Sequence, residues 1–215
     1  MDTTNRALHQ IEQSGIIAAI RCRAPLDRML EVGDALHATP VAAIMISPGS
    51  HQPWEIVEEL RHRYGASMLV GAGLLASATQ VLAATDAGAQ FIMTGGYVVE
   101  IDKLCRQREV LYAPGVRNAD AVRSVLLAGG CVASCFPRFG LDTAQIAQIA
   151  QTYPTLHLVA MGGIGAWNLG GYARAGVAAV VVRGAISAAA QWRMHDAIVE
   201  MRRLRALWMA AQLEK

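Results

Sequence analysis

The chain has 215 residues, 53% of them apolar and 17% charged, with a formal net charge of +2. That length and balance suit a single compact α/β domain spanning residues 1–215. They exclude a disordered chain, and they give no reason to expect a nucleic-acid partner. No apolar run reaches the ~18–20 residues that cross a bilayer, and the N-terminal "MDTTNRALHQIEQSG" is polar and helical rather than a secretory leader. The expectation is therefore a cytoplasmic protein with no membrane partner.

Short apolar runs alternate with amphipathic stretches eight times along the chain. The predicted strands are 16–21, 41–46, 68–73, 90–95, 110–115, 131–136, 156–163 and 178–184. Each is rich in Val, Ile and Ala and nearly continuous in apolarity, as strands covered on both faces of a parallel sheet are. A helix precedes the first strand. Between the strands, "PWEIVEELRHRY" (53–64) carries acids early and bases late, as a helix dipole prefers. "SATQVLAATDAGA" (77–89), "NADAVRSVLLAGG" (118–130) and "DTAQIAQIAQTYP" (142–154) open on the cap residues Ser77, Asn118 and Asp142. They close near Gly88, Gly129 and Pro154. A long helix from about residue 185 ends the chain. Eight regular βα units without a dinucleotide fingerprint predict a (β/α)8 TIM barrel, ahead of an open doubly wound sheet.

Such barrels bind ligands at the C-terminal ends of their strands. The residues falling there include Arg21, Met45, Ser47, Gly73, Pro114, Ser134, Phe136, Gly162, Gly163, Arg183 and Gly184. The glycines after strands seven and eight suit an anion cup. They also suit simple tight turns. Arg21, Arg117, Arg138 and Arg183 are the charged candidates, and no Asp or Glu ends a strand. An arginine-lined mouth favours a small phosphorylated or carboxylated ligand. Ligands for a metal are not clustered: His9, His37, His62 and His195 fall on predicted helices, His157 at the wrong end of a strand, and only His51 near the mouth. No metal or cofactor is expected. Cys22, Cys105, Cys131 and Cys135 lack metal-ligand spacing and read as reduced thiols.

In order and spacing, "SGIIAAIR", "VGAG", "DAGAQFIMTGG", "YAPGVRN", "FP" and "MGGIGAWNLGGYARAGV" resemble the 2-keto-3-deoxy-6-phosphogluconate and 4-hydroxy-2-oxoglutarate aldolases. The resemblance implies cleavage of a keto-sugar acid to pyruvate and an aldehyde through a lysine Schiff base, helped by a glutamate, in an enzyme that is often a trimer. By the same resemblance, Ser134 stands at the lysine's position and Met45 at the glutamate's. Gly49 and Leu74 stand at the positions of a pyruvate-side arginine and threonine. Arg21 matches the family's first-strand arginine.

The chain's two lysines are Lys103, on a predicted outer helix, and Lys215 at the C-terminus. Neither is placed for nucleophilic catalysis. Three functions follow as expectations. The first is a barrel without class I aldolase activity that binds a small anion. The second is an enzyme of altered chemistry, a lyase or isomerase using Tyr112, Cys22 or His51. The third is an oligomeric scaffold presenting Trp208, Met209 and Leu213.

Overall fold

The computed structural model describes residues 2–21, 23–65, 67–137, 140–183 and 194–214. The strands are β1 (Ile16–Ile20), β2 (Ala43–Ile46), β3 (Leu69–Leu75), β4 (Phe91–Thr94), β5 (Leu111–Ala113), β6 (Gly115–Val116), β7 (Val132–Cys135), β8 (His157–Met161) and β9 (Ala179–Val182). The helices are α1 (Thr3–Ser14), α2 (Leu26–His37), α3 (Pro53–Tyr64), α4 (Ala78–Asp86), α5 (Val99–Gln107), α6 (Ala119–Leu127), α7 (Thr143–Thr152), α8 (Leu169–Arg174) and α9 (Met194–Gln212). The strand order β5-β4-β3-β2-β1-β9-β8-β7-β6 is parallel throughout.

Nine strands make eight staves because the fifth is split at Pro114. Proline has no N–H to give the ladder, so the chain changes partner there. β5 pairs with β4 and β6 pairs with β7, while the Ser134 N–H donates to the Pro114 carbonyl at 2.8 Å. The ring closes through that proline. The fold is the (β/α)8 barrel that the repeat count predicts, and the open-sheet alternative is set aside.

The caps behave as their side chains dictate. Ser77, Asn118 and Asp142 each accept an N–H from the first turn of the helix they start, and Asp142 completes a capping box with Gln145. A cap of this kind stabilises a helix by ~1 kcal/mol.

Alternation sorts the strand residues into two cores. Ile17, Ala19, Ala43, Met45, Leu69, Phe91, Met93, Leu111, Ala113, Val132, Val159, Met161, Ala179 and Val181 fill the barrel, and Ala7, Leu8 and Ile11 of α1 plug its N-terminal end. The intervening residues, among them Ala18, Ile44, Val70, Ile92, Ala133 and Cys135, pack against the helices. With α1 across the bottom, entry is from the C-terminal mouth.

One expectation about α9 needs correction. Trp208 was expected to be exposed, but it is fully buried in the outer core. Its ring lies over Gly15, where an added Cβ would come within 1.9 Å of the indole nitrogen. Met209 and Leu213 do face solvent. On the same helix, at the surface, Arg202 donates to the Ala38 carbonyl, Arg205 to the Gln13 carbonyl, and Arg203 pairs with Glu200.

The outer core also sets the thiols. Burial pushes both Cys105 and Cys135 up to about 12, so roughly one part in ten thousand of either is thiolate at pH 8. Iodoacetamide at pH 8, followed by peptide mapping, should alkylate the exposed Cys131 while sparing Cys105 and Cys135 until urea is added. Rapid labelling of folded Cys135 would contradict its outward placement. Trp208→Ala should lower unfolding free energy in a urea titration by about 3–5 kcal/mol, the usual cost of deleting a buried large aromatic.

Candidate binding site at the barrel mouth

Each strand's inward column can be followed upward to the residue that leaves the sheet. Parallel partners share a face, and residues two apart share it too. β7 carries Val132, then Ser134, then Phe136. Ser134 is fully buried, and its hydroxyl lies 3.4 Å from the Ala113 carbonyl. Phe136 packs on the barrel interior. Cys135 faces the other way, as alternation from an inward Ser134 requires.

The lower mouth is apolar. Met45, Met93 and Met161 are 2%, 1% and 6% exposed, and Ala19, Ala113 and Val181 complete the floor around them. Met45 has a specific seat. A Cβ on Gly73 would lie 2.1 Å from the Met45 sulfur, so the thioether fills the room that Gly73 leaves. Ser134 is the polar side chain among these floor residues.

Above the floor, the columns of β1 and β9 end on Arg21 and Arg183, both exposed, and these strands are direct neighbours. Arg21 leans across β2: a Cβ on Gly49 would meet its Nε at 2.9 Å and an Nη at 3.3 Å. Next to β9, β8 runs into Gly162 and Gly163, with φ of 110° and 67°. Successive positive φ values strain any side-chain-bearing residue, and open space lies where a Gly162 Cβ would be. Asn168 braces this turn, donating to the Gly163 carbonyl and accepting from the Gly165 N–H, both at 3.0 Å.

Glycines line much of the opposite rim, where Arg117 follows inward Gly115 two residues on. The columns of β3 and β4 end on Gly73 and Gly95, and Gly115 of β6 pairs with Ser134. A Cβ on Gly115 would lie 2.5 Å from the Gly95 carbonyl oxygen, so only glycine lets these chains approach. Leu74, which the resemblance puts at a pyruvate-side position, has φ of 64° at a register shift between β3 and β4 and projects to solvent. Nothing in a leucine signals that conformation, because the bulge imposes it.

Other sequence candidates are distributed differently. Ser47 is buried where β2 ends, with its N–H bonded to the Ile20 carbonyl and its hydroxyl 3.5 Å from the Gly49 N–H. Pro114 is the buried kink described above. Arg117 is exposed beyond β6, and His51 is exposed beyond β2. Cys22, Arg138 and Gly184 lie outside the described residues. Tyr112 faces the helix layer, sharing hydrogen bonds with the Thr94 hydroxyl at 2.9 Å, the Gly96 carbonyl and the Val98 N–H. Its burial raises the phenol. Lys103 is exposed on α5, and Lys215 lies outside the described residues. Among the described residues, no three His, Cys, Asp or Glu side chains converge as a metal site, and no helix is long and apolar enough to cross a membrane.

A cavity of about 390 Å³ sits at the other end of the barrel, outside the lower halves of β5 and β7. Arg106 spans that seam, pairing with Asp102 at 3.0 Å and donating to the Ala128 carbonyl at 2.7 Å.

Similarity to known proteins follows the same geometry. Residues 8–203 match the family model described as KDPG and KHG aldolase. The 2-dehydro-3-deoxy-phosphogluconate aldolase of Haemophilus influenzae is 27% identical over 171 residues, covering 79% of this chain and 80% of that one. A probable 2-dehydro-3-deoxy-6-phosphogalactonate aldolase of Rhizobium meliloti is 27% identical over 163 residues, 75% of this chain and 76% of that one. A crystal structure of a 4-hydroxy-2-oxoglutarate/2-dehydro-3-deoxyphosphogluconate aldolase superposes with a TM-score of 0.83 at 26% identity, covering 97% of this chain and 99% of the other. With its barrel, its strand-end glycines and a family match over most of its length, the chain belongs to the KDPG and KHG aldolase family.

Proposed function

We propose that this barrel lacks class I aldolase activity and binds a small phosphorylated or carboxylated molecule at its C-terminal mouth. One observation carries the reading. The inward β7 position that resembles the family's Schiff-base lysine is a fully buried serine, and Lys103 is exposed on an outer helix. An amine forms a Schiff base only where it can reach the carbonyl. Met45, at the position resembling the catalytic glutamate, has no proton to exchange.

Anion binding rests on the rim. Arg21 and Arg183 end neighbouring strands beside the Gly162–Gly163 turn, and no described strand ends on a carboxylate. Guanidinium forks and exposed backbone N–H groups are the usual partners of phosphate and carboxylate. Ser47, Gly73, Pro114, Ser134, Phe136 and Gly184 complete the proposed site. A homotrimer, implied by the family resemblance, belongs to the same proposal, as does a cytoplasmic location.

An altered reaction on this cup has less support. Tyr112 points into the helix layer, His51 is exposed on a loop, Cys22 lies outside the described residues, and among the described residues Ser134 has no base as a hydrogen-bond partner.

Borohydride reduction in the presence of pyruvate or 2-keto-3-deoxy-6-phosphogluconate, followed by intact mass measurement, should leave the protein unmodified. A reduced adduct on Lys103 would restore an aldolase with a relocated nucleophile and sink the proposal. Arg21→Gln should weaken inorganic phosphate binding in a calorimetric titration by tenfold or more, the value of one charge-assisted contact at ~1.5–3 kcal/mol. Unchanged affinity would remove Arg21 from the site.

A further inference from the structure

We infer that the cavity at the N-terminal end of the barrel is a second binding site, and that it takes a small organic cation, an amine carried on a compact apolar body. The inference is independent of the anion-binding reading at the mouth.

The room has a structural origin. The fifth stave is split at Pro114, so β5 pairs with β4 and the ring closes higher up, between β6 and β7. Below that closure, the chain entering β7 brings two glycines to the seam. Gly129 has φ of 76°, and a Cβ on Gly130 would lie 2.7 Å from a Val125 methyl. Glycine suits both positions for reasons local to the end of α6, and no side chain fills the space beside them. The cavity that results holds about 390 Å³, and Cys105, Val110, Leu111 and Tyr112 form its less polar lining. Small-molecule pockets run from ~300 to 1,000 Å³. A single ring or a short alkyl chain suits this one.

Charge decides which kind of molecule fits. Three carboxylates line the cavity, Asp2, Asp102 and Glu109, against one guanidinium, Arg106. Arg106 is already engaged, by Asp102 at 3.0 Å and the Ala128 carbonyl at 2.7 Å. Asp2 caps α1, where the Thr4 hydroxyl and the Asn5 N–H hold its carboxyl below the usual range. The positive end of α1 is therefore matched by its own carboxylate. Glu109 is exposed, and no ion pair among the described residues engages it. It stands at φ of 54° just past α5, a place where helices usually put glycine.

The backbone adds the same sign. Both α5 and α6 end at this cavity: Cys105 and Arg106 belong to the last turn of α5, and Gly129 and Gly130 follow α6. Helix C-termini carry negative partial charge and favour cations. An anion would meet two such ends, Asp2 and Glu109, with only a neutralised arginine to hold it. A cation gains from all of them. Its apolar body gains from leaving water beside Val110 and Leu111, where a second charge would be costly.

Benzylamine, benzyl alcohol and benzoate test this, because they vary charge at nearly constant size. The mouth would take benzoate on the reading above, so binding is read locally, as protection of Cys131 from iodoacetamide at pH 8. Cys131 is exposed and lines the cavity. Benzylammonium should protect it at about a tenfold lower concentration than benzoate, since reversing the charge turns weak surface attractions into repulsions. Benzyl alcohol should fall between them. In a calorimetric titration, prior modification of Cys131 with N-ethylmaleimide should abolish benzylammonium binding. Glu109→Gln, a change at an exposed position, should weaken that binding by about two- to fivefold. Benzoate protecting as well as benzylammonium, binding that survives the Cys131 adduct, unchanged affinity in Glu109→Gln, or no protection by any of the three compounds each overturns the inference.

Discussion

Parallel pairing keeps register partners on one face of a sheet, and in a closed barrel that face is either the inside or the helix layer. Ile17, Ala43 and Leu69 are partners and all point in. Ala18, Ile44 and Val70, one residue on, all point out. A shift of one residue in any strand would exchange these sets and bury the wrong ones. The functional geometry depends on that constraint. It places Ser134 inside and turns Cys135 and Tyr112 away. It also brings Arg21 and Arg183 to the mouth on adjacent strands.

The same constraint explains what could be read from the sequence. The eight staves were legible because strands buried on both faces are continuous apolar runs. Their observed ends fall within two residues of the predicted ones, apart from the split fifth strand. Ser77, Asn118 and Asp142 were legible as caps because capping is a local bond between a side chain and the following turn. The split of the fifth strand was not read from the sequence, although Pro114, with no N–H to give a ladder, is the residue that makes it. Trp208 was misread by taking "ALWMAAQLEK" as a string. On α9, Met201, Leu204, Trp208 and Ala211 recur at helical spacing and form one buried stripe.

What the sequence withheld is tertiary. Nothing local says that Arg21 leans over Gly49, that the Met45 sulfur fills the space at Gly73, or that Leu74 is forced to positive φ. Each depends on a neighbouring strand or loop. The glycines were legible as glycines, yet they have different reasons. Gly115 is set by close approach to the Gly95 carbonyl, Gly73 by a partner's side chain, and Gly162 by backbone conformation above open space.

On the reading proposed above, Met45, Gly49 and Ser134 each fit their surroundings without the family's glutamate, arginine and lysine. A carboxylate at position 45 would be desolvated in the company of Met93 and Met161, and it would require a partner to stay charged. Met45 removes that requirement and occupies the room at Gly73. A Cβ at position 49 would press on the Arg21 guanidinium, and Gly49 gives that group its space. Serine at 134 is small enough to fit at zero exposure and has a carbonyl within reach. The described floor is apolar apart from Ser134, and Arg21 and Arg183 lie above it. On the proposed reading, such a barrel binds what sits above an apolar floor, because a serine and a methionine at these inward positions offer neither an amine for a Schiff base nor a carboxylate to move a proton.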